Sequence, residues 1–64
     1  MAMKKYFIKN IKLQNFYCSY VGGGINHFVL DYREARKFNS IKEANKKLRS
    51  FKHQENFEVV CIYE

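Results

Sequence analysis

The strongest structural signal in the chain lies between residues 16 and 30, where the sequence reads FYCSYVGGGINHFVL. Both arms of this stretch are rich in β-branched and aromatic residues, which favour strands. The three glycines between the arms adopt positive φ angles without steric cost, so they predict the turn of a β-hairpin. A phosphate-binding loop is excluded, because such a loop leads through Gly-Lys-Ser/Thr into a helix and this one leads into a strand.

Two further β-rich runs flank the hairpin. Lys4–Asn10 precedes it, separated by the polar residues 10–15, and Phe57–Tyr63 closes the sequence. In Phe57–Tyr63 apolar residues fall on both faces, which is typical of an interior strand rather than an edge strand. We therefore expect this last strand to lie inside the sheet.

A helix is predicted between the hairpin and the last strand. Ser40 and Glu43 have the spacing of a capping box, which marks a first helical turn. The apolar residues that follow at helical spacing are Ile41, Ala44, Leu48 and Phe51. They predict one apolar stripe. The helix is expected to end near residues 52–54, where basic side chains suit the negative end of its dipole.

Asp31 and Glu34 form a second box-like pair, which predicts a single helical turn after the hairpin. The element order is then β-β-β-α-β, apart from that turn. We expect an α+β fold in one domain, residues 1–64, with an antiparallel sheet of three to four strands and one amphipathic helix packed on one face. The other sheet face is expected to be uncovered and to hold solvated tyrosines or a partner, such as a second copy in a homodimer.

The chain is short and basic. Its 64 residues include 12 Lys and Arg against 6 Asp and Glu, which gives a formal net charge of +6. Such an excess attracts polyanions at long range, although a net charge of about 2–8 also serves solubility alone. The sequence contains neither an apolar run long enough to span a bilayer nor a recognisable export signal. We therefore expect a cytoplasmic protein without a membrane partner.

The clearest polar pattern lies on the predicted helix. Lys42, Lys46, Arg49 and His53 recur at i, i+4, i+7 and i+11, opposite the apolar stripe. This spacing predicts a basic ridge that contacts phosphates or an acidic protein surface. The alternative is the ordinary solvated face of an amphipathic helix.

Tyrosines give a second candidate surface. Tyr6, Tyr17 and Tyr20 are expected on the uncovered sheet face, where tyrosine rings can contact a protein partner or stack on the bases of a single strand. The chain lacks the signature of an RNA-recognition motif, so a nucleic-acid site would have to be of another kind.

Catalytic and metal sites are not predicted. Cys18 and His27 form a thiolate–imidazole pair only if the hairpin register places them opposite each other, whereas pairing of Cys18 with Phe28 turns His27 to the other face. A zinc site is not predicted either, because the close ligand spacing of structural zinc sites is absent among Cys18, His27, His53 and Cys61. We expect a protein without enzyme activity, cofactor or metal.

The whole pattern resembles small phage and prophage proteins of AT-rich Gram-positive hosts. The likeness rests on the opening strand at residues 6–10 (YFIKN), the run at 34–44 (EARKFNSIKEA) and the closing strand at 57–60 (FEVV). Some proteins of this kind are stoichiometric inhibitors of host machinery, and they include anti-CRISPR proteins. The resemblance implies an inhibitor that acts by protein contact on a host nucleic-acid-handling complex.

The resemblance assigns no functional residue in this chain. Many anti-CRISPR proteins are acidic DNA mimics, and the basic charge disfavours that mechanism here. From the residues alone, the alternative function is direct, low-specificity binding of DNA or RNA through the basic helix face.

Cys18 and Cys61 are expected to be free thiols. Two cysteines do not make the framework of a small secreted scaffold, and both lie in apolar runs where Cys packs as a small hydrophobe. A single Cys18–Cys61 disulfide is the alternative. Intact mass after alkylation under denaturing, non-reducing conditions should show two added groups. A mass lower by two hydrogens with no alkylation would establish the disulfide instead.

Overall fold

The computed structural model describes residues 3–23 and 25–63, which form a four-stranded antiparallel sheet and one α-helix. The strands are β1 (Lys4–Asn10), β2 (Phe16–Gly22), β3 (Ile25–Val29) and β4 (Phe57–Tyr63), and the helix α1 is Ile41–Leu48. Short 3-10 turns lie at Tyr32–Glu34 and Gln54–Asn56. The α+β class expected from the sequence is confirmed.

Glycine forms the turn between β2 and β3. Gly22 and Gly23 have φ angles of +99° and +60°, which other residues adopt only with strain. A Cβ on either glycine would meet no heavy atom within 4 Å, so backbone conformation rather than space requires glycine there. Gly24, the third glycine of the predicted turn, lies outside the described residues.

The strand order is β3-β2-β1-β4, which places β4 at an edge of the sheet. The prediction of an interior strand is therefore wrong. β4 pairs with β1 in an unbroken register, in which Lys4 lies opposite Tyr63 at one end and Asn10 lies opposite Phe57 at the other. β4 carries apolar residues on both faces for another reason. Val59 packs against the helix-side core, and Val60 on the opposite face is also partly buried.

β1 and β2 pair only at Lys9 and Phe16, and beyond that point the two strands diverge. Residues 36–38 fill the gap between them. The Arg36 N–H donates to the Tyr17 carbonyl at 3.0 Å, and Phe38 exchanges two backbone hydrogen bonds of 2.9 and 3.0 Å with Tyr6. The sheet is thus closed at its centre by a segment that the sequence pattern did not identify as a strand.

The main core lies between α1 and the sheet. Its buried members are Ile8, Tyr17, Phe38, Ala44 and Phe51. Leu48 packs against this cluster, as the predicted stripe requires, but Ile41 is 53% exposed and lies outside it. The apolar face of α1 therefore begins at Ala44.

The opposite sheet face carries a smaller aromatic cluster, so the expectation that this face is uncovered is wrong at its centre. Phe7 is fully buried there. Its ring meets Phe16 and Tyr32 edge-on, with centroids 6.2 and 5.7 Å apart. Tyr32 belongs to the 3-10 turn that follows Asp31, whose side chain accepts the Arg33 N–H as predicted for a cap. One short turn thus supplies the cover that a second helix would give.

α1 begins as predicted and ends early. The Ser40 hydroxyl accepts the Glu43 N–H at 3.1 Å, which caps the first turn. The helix ends at Leu48 rather than near residues 52–54. The Ser50 and Phe51 N–H groups bond to carbonyls only three residues back, which tightens the chain into a turn that directs Phe51 into the core.

The two isoleucines at Ile8 and Ile41 test this packing. Ile8→Ala should destabilise the fold by about 2–5 kcal/mol, because a fully buried side chain leaves a cavity. In so small a domain that corresponds to a fall in melting temperature of about 10 °C or more. Ile41→Ala, the matched control, should change stability by less than about 0.5 kcal/mol, since half of Ile41 is exposed. Equal melting temperatures for the two variants would contradict the packing.

Asp31 makes stability depend on pH. The Arg33 guanidinium and backbone N–H both bond to its carboxylate, which lowers the pKa of Asp31. A carboxyl with a lowered pKa stabilises the fold above its unfolded pKa, and this contribution is lost as pH falls through the folded value. Asp31→Asn keeps a capping side chain but should melt slightly below wild type at pH 7.

That difference should shrink as pH falls below about 4, where the unfolded chain begins to bind the Asp31 proton, and should be lost once pH lies below the lowered pKa of the folded state. Thermal unfolding followed by circular dichroism at pH 7, 4 and 2.5 measures it. Glu34→Gln is the control, because Glu34 interacts with Arg33 through its charge but accepts none of the Arg33 hydrogen bonds made to Asp31, so its loss should show a smaller trend. A constant difference between Asp31→Asn and wild type at all three pH values would show that the ion pair does not stabilise the fold.

Candidate functional site

The predicted basic ridge is present only in part. Lys42 and Lys46 are exposed on α1, and Arg49 caps its C-terminus with helical backbone angles, so these three stay on one side. His53 does not join them, because it lies beyond the helix end with a φ of +58°. Its ring instead lies 3.7 Å from a Glu55 carboxylate oxygen. The prediction that His53 belongs to the ridge is wrong, because it required the helix to continue beyond Leu48.

The tyrosines lie on a different face from the one expected. Tyr17 is buried in the helix-side core and Tyr6 packs against that core, so neither is presented on an open sheet face. Tyr20 also lies on the helix side of the sheet but is 56% exposed. Of the three predicted tyrosines, Tyr20 is therefore the most exposed.

Lys47 connects the helix to these tyrosines, although the sequence pattern gave it no role. Its Nζ atom lies 5.4 Å from the centre of the Tyr17 ring and 5.8 Å from that of Tyr20. Cations over aromatic faces at this distance are attracted by the ring electrons. Lys47 is thereby held across the space between α1 and β2 instead of extending into solvent.

A groove of about 470 Å³ lies between α1 and the segment that precedes it. We call it the basic groove. Its lining residues are Arg36, Lys37, Phe38, Asn39, Glu43, Lys46, Lys47 and Ser50. The Arg36 guanidinium lies 5.8 Å from the centre of the Phe38 ring, which forms part of the floor. Two pairs of adjacent basic residues, ten positions apart in sequence, are thus brought to one surface.

A second hollow of about 440 Å³ adjoins the basic groove and shares Lys47 and Ser50 with it. We call it the aromatic hollow. Its other lining residues are Tyr20, Asn26, Phe28, Phe51, Lys52 and Phe57. The Phe28 and Phe57 rings stack with centroids 5.5 Å apart and an interplanar angle of 19°. A basic surface therefore continues into one walled by aromatic rings.

The basic groove contains few acidic side chains to offset its cations. Glu43 is the one acid in its lining, and it accepts the Asn39 N–H at 3.1 Å near the helix start. Arg36, Lys46 and Lys47 form no ion pair with any acid in residues 3–23 and 25–63. Clustered cations without counter-charges raise the local potential and attract anions.

The hairpin register decides the question of a Cys18–His27 pair. His27 pairs with Ser19 and Phe28 with Tyr17, and Cys18 falls in the irregularity between them. The Cys18 thiol donates to the Glu34 carbonyl at 3.3 Å, and both Cys18 and Cys61 are free. The register therefore gives Cys18 no imidazole to activate it.

The described residues contain no group of three or more His, Cys, Asp or Glu side chains placed to hold a metal ion. Within the same residues, no helix combines the length and apolar character needed to cross a bilayer. Comparison with known proteins gives no match to a family model, a curated protein or a solved structure. The groove and the hollow are therefore the features of the molecule that bear on its function.

Proposed function

We propose that the protein is a non-enzymatic binding module that binds nucleic acid directly through the basic groove. The observation that carries this proposal is the cluster of Arg36, Lys37, Lys46 and Lys47 around one concavity with a single acid in its lining. Cations that neutralise phosphates release condensed counter-ions, which supplies most of the affinity in sequence-independent binding. A net charge of +6 adds long-range attraction to the same ligand.

The groove favours binding of low sequence specificity. Lysine ammonium groups act as point charges on phosphate oxygens, and such contacts fix orientation without reading sequence. α1 has only eight residues and packs its Ala44 side against the sheet, so it is a support for the groove rather than a free recognition helix. Duplex major-groove readout normally requires a helix or ribbon that projects into the groove.

A second candidate function is the phage-type inhibitor that the sequence resemblance implies, which would act by protein contact. The observation that favours it is the free edge of β4. Natural sheet edges are usually protected by charged side chains, proline or bulges, and β4 has neither proline nor bulge in its unbroken seven-residue register, with Glu58 as its one charged residue. A partner strand, including β4 of a second copy, can add to such an edge.

Charge reversal in the groove tests the leading proposal. Arg36→Glu with Lys46→Glu should lower affinity for a labelled oligonucleotide by at least about tenfold at 50 mM salt, where electrostatics are weakly screened. The slope of log affinity against log salt should become shallower by roughly 1.4 to 1.8, which corresponds to about two lost phosphate contacts. Fluorescence anisotropy across a salt series measures both quantities.

The matched control is Lys4→Glu with Lys12→Glu. It changes the net charge by the same amount at exposed positions that do not line the groove. Both double variants should retain the wild-type circular dichroism spectrum, since all four side chains are exposed. Equal losses in the two variants would mean that net charge, not the groove, drives binding. Failure of the wild type to bind any oligonucleotide would remove the proposal and favour protein contact.

A further inference from the structure

We infer that the ligand of this surface is single-stranded rather than duplex nucleic acid, with its phosphates in the basic groove and one or more bases stacked in the aromatic hollow. The inference rests on the proposed function and adds the class of nucleic acid. Its starting point is the junction of the two concavities, which share Lys47 and Ser50.

The aromatic hollow offers groups that suit a base. Tyr20 is more than half exposed, and the Phe28 and Phe57 rings beside it are partly exposed. Aromatic side chains stack on any base because every base has a π-face, and this tolerance is characteristic of sequence-independent single-strand binding. A volume of about 440 Å³ lies within the range of small-ligand sites, so a group the size of a nucleobase has room to enter.

Lys47 lies where the two parts of the ligand would meet. Its Nζ atom is held over the Tyr17 and Tyr20 rings, at the boundary between groove and hollow. A phosphate that joins a stacked base to the rest of the strand would therefore meet an ammonium group held in place. The amide of Asn26 and the hydroxyl of Ser50 add hydrogen-bonding groups to the same lining.

A duplex would use only half of this surface. Its phosphates lie outside and can contact the cations, but its bases are paired and stacked on one another, so they do not enter an aromatic hollow. Bases of a single strand are free to unstack and to pack on protein rings. A single strand can use both the cationic groove and the exposed aromatic ring, so base stacking on the ring should make its affinity higher than that of a duplex.

Tyr20→Ala tests the inference when its affinities for a single strand and for a duplex of the same sequence are compared. We expect it to lower affinity for a labelled single strand of about 12 nucleotides by at least about tenfold, while duplex affinity changes less than twofold. Tyr20→Phe should keep single-strand affinity within about twofold of wild type, because stacking needs the ring and not the hydroxyl. The salt slope should be unchanged in both variants, since no cation is removed.

Tyr63→Ala is the matched control, because Tyr63 is 65% exposed but lies on β4, two strands away from the β2 strand of Tyr20, and lines neither the basic groove nor the aromatic hollow. It should bind both oligonucleotides as wild type does. Equal wild-type affinity for single strand and duplex, or equal losses of both in Tyr20→Ala, overturns the single-strand inference and leaves the proposed function standing. Absence of binding to both oligonucleotides overturns the proposed function itself.

Discussion

Three backbone hydrogen bonds made by residues 36–38 hold the two halves of the sheet together. β1 and β2 are paired at one position only. Without this segment, backbone groups of the diverging strands would lack hydrogen-bond partners. The same bonds place Phe38 inside the core and leave Arg36 at the surface above it. Because α1 starts only a few residues later, the path of this segment also sets where the helix begins and where the basic groove lies.

Packing on both faces of the sheet explains how so short a chain uses its aromatic residues. A chain of 64 residues buries only about 60% of the surface that its unfolded chain exposes, so large rings must supply much of the buried apolar area. Tyr17 fills the helix side and Tyr32 covers Phe7 on the other. Structural demand therefore buries or partly buries most of the tyrosines, and of the two exposed ones, Tyr20 and Tyr63, only Tyr20 lines the aromatic hollow.

The basic groove carries a folding cost that bears on its proposed role. Like charges held close together oppose the compact state, and Arg36, Lys46 and Lys47 lie around one concavity without ion pairs to described acids. Part of that cost is offset where Lys47 and Arg36 lie over aromatic rings. An anionic ligand would relieve the remaining repulsion, which is the physical basis of the proposed binding.

Local signals in the sequence determined the caps and the hairpin turn, and the tertiary structure decided the rest. Ser40, Asp31 and the glycines at the hairpin act through dihedral angles and hydrogen bonds to neighbours two or three residues away, so their effects are readable from the chain alone. The edge position of β4 was not readable, because a strand covered on both faces has the same apolar pattern whether or not it has two neighbours. The groove was not readable either. Arg36 and Lys47 are eleven residues apart, and only the turn of the chain through residues 36–40 and the packing of α1 bring them to one surface.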